Sequence, residues 1–220
     1  KLETAEYTVT FHVGENSDTA DIAYGTTLAS TDIPAGLIPE GKLFDGFYTD
    51  AGCTTALTGT ITGETDVYIA LETIQYAITF HVDEQEETVD IDYGTTLTAA
   101  NVPATLIPTG KTVEGLYTDE DCTEALTGTV TAEGDVYVNL ETAQYTVTFH
   151  VGENSDTADI AYGTTLTTAN VPAGLIPAGK EVEGLYTDAE CTVALTGTVT
   201  EATNVYVKLA TIEYTITFHA

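Results

Sequence analysis

The side chains able to do chemistry recur at one fixed step. The four histidines, His12, His81, His150 and His219, are evenly spaced, and the three cysteines, Cys53, Cys122 and Cys191, keep the same interval. So do Lys42, Lys111 and Lys180, three of only five basic residues. A zinc site needs three or four ligands brought together, and no second His or Cys stands close in sequence to any of these. Each His is therefore read as a surface residue on the polar side of a strand. A thiol nucleophile needs a neighbouring base, and none is near. Calcium takes six to eight hard oxygens. The densest candidate is Asp119-Glu120-Asp121, followed by the run Asp83-Glu84-Gln85-Glu86-Glu87. Neither follows the spacing of an EF-hand loop. Acids number 10, 14 and 9 in successive copies, so a defined site would lose its ligands from copy to copy. Diffuse screening by cations is the expectation, with calcium at Asp119, Glu120 and Asp121 as the specific alternative. With no clustered base, nucleophile or metal set, the sequence predicts no enzyme, no catalytic residue and no cofactor.

One thiol per copy raises a separate question. Copies strung along a rod would hold equivalent cysteines far beyond the ~6 Å Cα separation of a disulfide. Bonds within the chain are therefore not expected. Cys53, Cys122 and Cys191 are read as partly buried small apolar residues, and as candidates for pairing with a second chain. The repeated lysines are candidates for capping a turn, for pairing with an acid, or for an isopeptide bond to a buried acid that the sequence does not identify.

The elements that position these residues follow from the same step. Residues Tyr7 to Leu28 recur unchanged as Tyr145 to Leu166. Self-similarity at a fixed period marks a repeat architecture: modules at 7–75, 76–144 and 145–213, with 1–6 as the tail of a preceding repeat and 214–220 as the first strand of a following one. Within a module, Tyr7, Val9, Phe11 and Val13 alternate with Thr8, Thr10 and His12, the period of a half-buried strand. A polar turn follows at Gly14–Asp18, then a second alternating run through Ala20, Ile22 and Tyr24, so the pair reads as a hairpin. Further strands are expected near Leu43–Tyr48 and Asp66–Leu71. A short helical turn before Pro103 is the only helix expected. The apolar face flips across Thr142-Ala143-Gln144, which places a bend or boundary there. So short a link, without Gly or Pro, predicts a rod-like array with little hinge freedom. At the far end, Tyr214, Ile216 and Phe218 alternate as a lone strand, a candidate for donation to a neighbouring chain.

Composition narrows the partners. The formal net charge is -30, and there is no Arg. Nucleic acid and anionic lipid need a basic surface and are excluded as partners. No apolar run approaches the ~20 residues of a membrane-spanning helix, so no membrane insertion is expected in this segment.

Several motifs run in a familiar order: Tyr7-Thr8-Val9-Thr10-Phe11, Tyr24-Gly25-Thr26-Thr27, Phe44-Asp45-Gly46-Phe47-Tyr48-Thr49-Asp50, Cys53-Thr54-Thr55 and Val67-Tyr68-Ile69-Ala70-Leu71. In this order the module resembles the Listeria–Bacteroides repeat, the family that includes the B repeats of internalin-like surface proteins. There are departures. The Trp common before Tyr-x-Asp is replaced by Phe47, Leu116 and Leu185, and the closing Lys-Trp by Ala70-Leu71, Asn139-Leu140 and Lys208-Leu209. The resemblance implies a mainly β fold, β-grasp-like (α+β with at most a short helix). It also implies a secreted or cell-surface setting in bacteria or archaea, and no catalytic residues. Two functions follow. The first is a structural array that forms a stalk or filament and contacts further repeats or other copies of itself. The second is an adhesin that binds host protein or glycan through module loops and tyrosines such as Tyr48, Tyr117 and Tyr186.

Overall fold

A computed structural model describes residues 3–217. Each module builds four strands. In the first they are β1 (Glu6–Val13), β2 (Asn16–Ala23), β3 (Lys42–Tyr48) and β4 (Thr65–Thr73). The second contributes β5 (Gln75–Val82), β6 (Gln85–Asp92), β7 (Lys111–Tyr117) and β8 (Gly134–Thr142). The third contributes β9 (Gln144–Val151), β10 (Asn154–Ala161), β11 (Lys180–Tyr186) and β12 (Thr203–Thr211). By internal contacts the chain falls into two compact units. One contains the whole first module and one the whole third, and the second module contributes to both.

The first module shows why the strands arrange as they do. A two-residue turn after Val13 closes the β1–β2 hairpin, and Gly14 takes a φ of 57° there, a conformation open to glycine without a Cβ penalty. Strand β4 then returns beside β1 in parallel, with Val9 opposite Thr65 and His12 opposite Tyr68, while β3 pairs antiparallel with β4. The sheet order is β2-β1-β4-β3. The other two sheets repeat it as β6-β5-β8-β7 and β10-β9-β12-β11. A central parallel pair flanked by antiparallel edges is the β-grasp arrangement. The crossover that a β-grasp makes with a helix is here a 3-10 turn, Ser30–Asp32. Threonine-rich sequence and Pro34 do not sustain a longer helix. The Asp32 carboxylate accepts the Ala29 N–H at 2.8 Å and closes the turn.

One face of each sheet is buried. Val9, Phe11, Ile22, Val67 and Ile69 gather with Leu37 from the crossover and Ile61 from the loop before β4. Their counterparts in the third module are Val147, Phe149, Val205, Val207, Leu175 and Val199. Phe11, Phe80 and Phe149 have no exposed surface. Ile61 reaches the core because its N–H donates to Thr26 and its carbonyl accepts from Gly25, which ties the loop to the end of β2.

The edge strand β3 departs from simple alternation. Its register shifts between Phe44 and Gly46, a β-bulge that recurs between Val113 and Gly115 and between Val182 and Gly184. The extra residue is Asp45, Glu114 or Glu183. A bulged, acidic edge discourages pairing with another sheet. Glu183 forms an ion pair with Lys208 at 2.7 Å, and Glu114 accepts a hydrogen bond from Asn139, also at 2.7 Å.

Candidate functional site

The repeated residues fall into three sites. Three of the histidines, His12, His81 and His150, stand on the open face of their sheets, and His219 lies outside the described residues. His12 stacks on Tyr68 with ring centroids 4.7 Å apart and planes 19° apart, and its Nε2 lies 2.8 Å from Asp66. His81 stacks on Tyr137 and His150 on Tyr206 at 4.8 and 4.9 Å. Tyr48, Tyr117 and Tyr186 are the cross-strand partners of these tyrosines. Each sheet thus carries a row of three rings: Tyr48, Tyr68 and His12 in the first. The His and Tyr rings lie face against face, as cross-strand aromatic pairs do when they stabilise a sheet. Tyr48 lies in β3, against Gly46.

The cysteines sit in the loop after β3. Asp50 opens that loop, and its carboxylate accepts the N–H groups of Gly52, Thr54 and Thr55 and the Thr54 hydroxyl at 2.8–3.2 Å. Asp119 and Asp188 do the same for Thr123 and Glu124 and for Thr192 and Val193. Of the acidic trio read as calcium ligands, Asp119 is therefore occupied by its own loop, while Glu120 and Asp121 are exposed. Among the described residues, no three His, Cys, Asp or Glu side chains converge on a point. The backbone N–H groups hold the three aspartates below the ordinary carboxylate pKa. A group whose folded pKa is depressed adds stability that is present above its unfolded value near 3.9 and is lost as pH falls through the folded value. Carboxyl NMR titration should accordingly find Asp50, Asp119 and Asp188 protonating below the ordinary aspartate range, and their loops opening in that same acid window. Titration at the ordinary value would contradict the bonding described.

Each cysteine occupies a left-handed position, with φ of 49°, 51° and 52° at Cys53, Cys122 and Cys191. All three are free and half-buried. Burial, and then the charges of Asp119 and Asp121, push the Cys122 thiol up; burial and Asp188 do so at Cys191. A thiol held protonated is a poor nucleophile. At neutral pH, iodoacetamide should label Cys122 and Cys191 several-fold more slowly than a free cysteine at ~8.5; labelling at least as fast would refute this. The lysines are simpler. Lys42, Lys111 and Lys180 donate across the sheet to Thr73, Thr142 and Thr211 at 2.6, 3.3 and 2.8 Å.

The third site lies where modules meet, and sequence reading did not find it. Ile74 is the single residue between β4 and β5. Its N–H donates to the Gly41 carbonyl of the first module at 2.9 Å, and its carbonyl accepts the Tyr93 N–H of the second at 2.7 Å. The Tyr93 ring lies directly over Gly41, where any Cβ would run into it. Gly41 is buried and has a φ of 75°. Tyr76 braces the Tyr93 ring from its own module at 6.5 Å. The Glu40 carboxylate beside the phenol holds its pKa above the usual value.

The same joint forms a second time. Ala143 bonds back to Gly110 at 2.9 Å and forward to Tyr162 at 2.8 Å, and the Tyr162 ring covers Gly110. Ala143 is buried, at the place where the apolar face was expected to flip. The signal available in the sequence was the strict recurrence of Gly41, Gly110 and Gly179 beside that of Tyr24, Tyr93 and Tyr162.

Of the segment read as a candidate for donation, Tyr214–Thr217 lie in no sheet. Tyr214 and Ile216 are 79% and 73% exposed, and Phe218 lies outside the described residues. Each of the three sheets already contains its own central strand (β1, β5 or β9) at the position such a strand would fill. An apolar cleft of about 460 Å³ beside Ile78, Leu97, Leu126 and Val130 shrinks to about 160 Å³ at the matching place in the third module. The cleft thus recurs at a smaller size.

A family model, described as the Listeria-Bacteroides repeat domain, matches residues 7–69 and 76–138, more than half of the chain. No curated protein matches the sequence.

Proposed function

The chain belongs to the Listeria-Bacteroides repeat domain family, and on that premise we propose that it is a structural protein of the cell surface or extracellular space. Its serial modules act there as a stalk. The observation that carries this reading is the joint made twice from the same parts: Tyr93 over Gly41 and Tyr162 over Gly110, with one linking residue each time. A one-residue link bonded both backward and forward restrains neighbouring modules far more than a flexible tether does. Spacing, and not catalysis, is what such a link serves. The family is generally non-enzymatic and typical of surface proteins, and among the described residues no helix is long and apolar enough to cross a membrane. The acidic surface keeps such arrays apart and soluble.

Antibodies raised against the chain provide the test. They should label intact cells of the source organism, with no gain on permeabilisation. Labelling that appears only after permeabilisation would overturn the surface assignment.

A further inference from the structure

The cleft beside Ile78 differs between copies of one fold. In the second module, buried Ile78, Val130 and Val136 and half-buried Leu97 and Leu126 line it, together with exposed Thr129 and Thr131. All of them belong to one compact unit. At about 460 Å³ the cleft falls within the ~300–1,000 Å³ of small-molecule sites, whereas the matching place in the third module holds about 160 Å³.

The residues that differ are small in the second module. Gly134 opens β8 where the first module has Thr65 and the third Thr203, and Ala132 stands where the third has Glu201. Ala132 and Gly134 line the wide cleft, while Glu201 and Thr203 line the narrow one. The φ of Gly134 is outside the left-handed region, so the backbone does not require glycine there. Nothing lies within 4 Å of a Cβ built on it. Glycine in a strand weakens it and marks places where a ligand comes close. Here it leaves open the space that a threonine takes in the other copies.

We propose that this cleft binds a small uncharged molecule with an apolar body and a hydrogen-bonding group, and that Gly134 and Ala132 open it. Charge and lining name the occupant together. Among the described residues the lining holds one charged side chain, Asp135, and no basic one. With a net charge of -30 the chain repels an anion. A cation would lose its water against Ile78, Leu97, Leu126 and Val130, at a cost one carboxylate at the margin does not offset. Threonine hydroxyls supply donors and acceptors to an uncharged polar group. The inference goes beyond the stalk reading, which needs the joints and not the cleft.

Two dyes test it on the full chain: Prodan, an uncharged naphthalene ketone with polarity-sensitive emission, and ANS, an anionic naphthalene dye. Prodan emission should shift to the blue and saturate, with a Kd on the order of 0.1 mM, while ANS stays dark. Amide NMR shifts caused by Prodan should gather at Leu97 and Thr127–Thr131. Gly134→Thr should weaken binding about tenfold or more by filling the space. Its melting curve should hold, because Thr65 and Thr203 occupy that position in the other two sheets. Conversely, Glu201→Ala with Thr203→Gly should give the third module the same response, with new shifts at Thr196–Thr200. A Prodan signal that never saturates, an equal response to ANS, or binding that Gly134→Thr leaves intact overturns the proposal. A third module still silent after its exchange overturns the role given to Gly134 and Ala132. A capped apolar tripeptide that binds where Prodan does not would hand the cleft to a protein partner and overturn the small-molecule assignment.

Discussion

Phe149→Ala strips the third module of much of its stability and leaves the first as it was. Phe149 is fully buried in the middle of β9, with Val147, Val205 and Leu175 in the same core. Truncating such a ring removes its transfer free energy and leaves a cavity, at a cost of ~3–5 kcal/mol. A module of about 69 residues, at ~0.05–0.15 kcal/mol per residue, has roughly 3–10 kcal/mol in total. The loss therefore consumes a large share of one module's stability and, at ~4–8 °C per kcal/mol for a small domain, lowers its melting point by more than about 12 °C. Calorimetry should resolve a transition that drops by this amount while another holds its place. A uniform fall of the whole melting curve would mean that the modules are not self-contained.

Gly110→Ala breaks a joint without breaking a sheet. Two penalties combine there. The φ of 79° costs an L-residue about 1–2 kcal/mol, and the new Cβ runs into the Tyr162 ring, which must leave its seat. The Ala143 and Tyr162 amides lose their bonds across the joint, so their hydrogen exchange should quicken about tenfold or more, since ~1.4 kcal/mol is a factor of ten. Exchange at Phe149 should stay as it was. Gly179→Ala is the matched control. It has the same backbone strain at a φ of 77°, but no ring in the way. The difference between the two variants isolates the tyrosine. Equal effects from both would show that the ring contributes nothing to holding modules together.

Much of the module was legible because its strands obey one local rule. Strict alternation from Tyr7 to Val13 placed β1 and its buried face, and Gly14 marked the hairpin. The parity switch at Thr142-Ala143-Gln144 located the junction, where Ala143 stands alone between β8 and β9. What alternation could not show was pairing between distant segments. The parallel contact of β1 with β4 brings Val9 beside Thr65, across most of a module, and the bulge at Asp45 hides inside an otherwise regular strand. The acidic trio at 119–121 read as one cluster, since sequence gives charge and not direction. Only Asp119 recurs as an aspartate in every copy, as Asp50 and Asp188, and only that side chain turns inward to bond its own loop. The joint escaped for a similar reason. Gly41 and Tyr93 belong to different copies, with β3, β4, β5 and β6 between them, and nothing local to either marks the other.

Pulling one chain from both ends in a force spectrometer addresses the serial build most directly. Three unfolding steps of equal length should appear, because the modules share one period. Each step should release roughly 240 Å of chain, at ~3.3–3.6 Å per extended residue. A single collective rupture, or steps of unrelated lengths, would contradict a protein made of three like units in series.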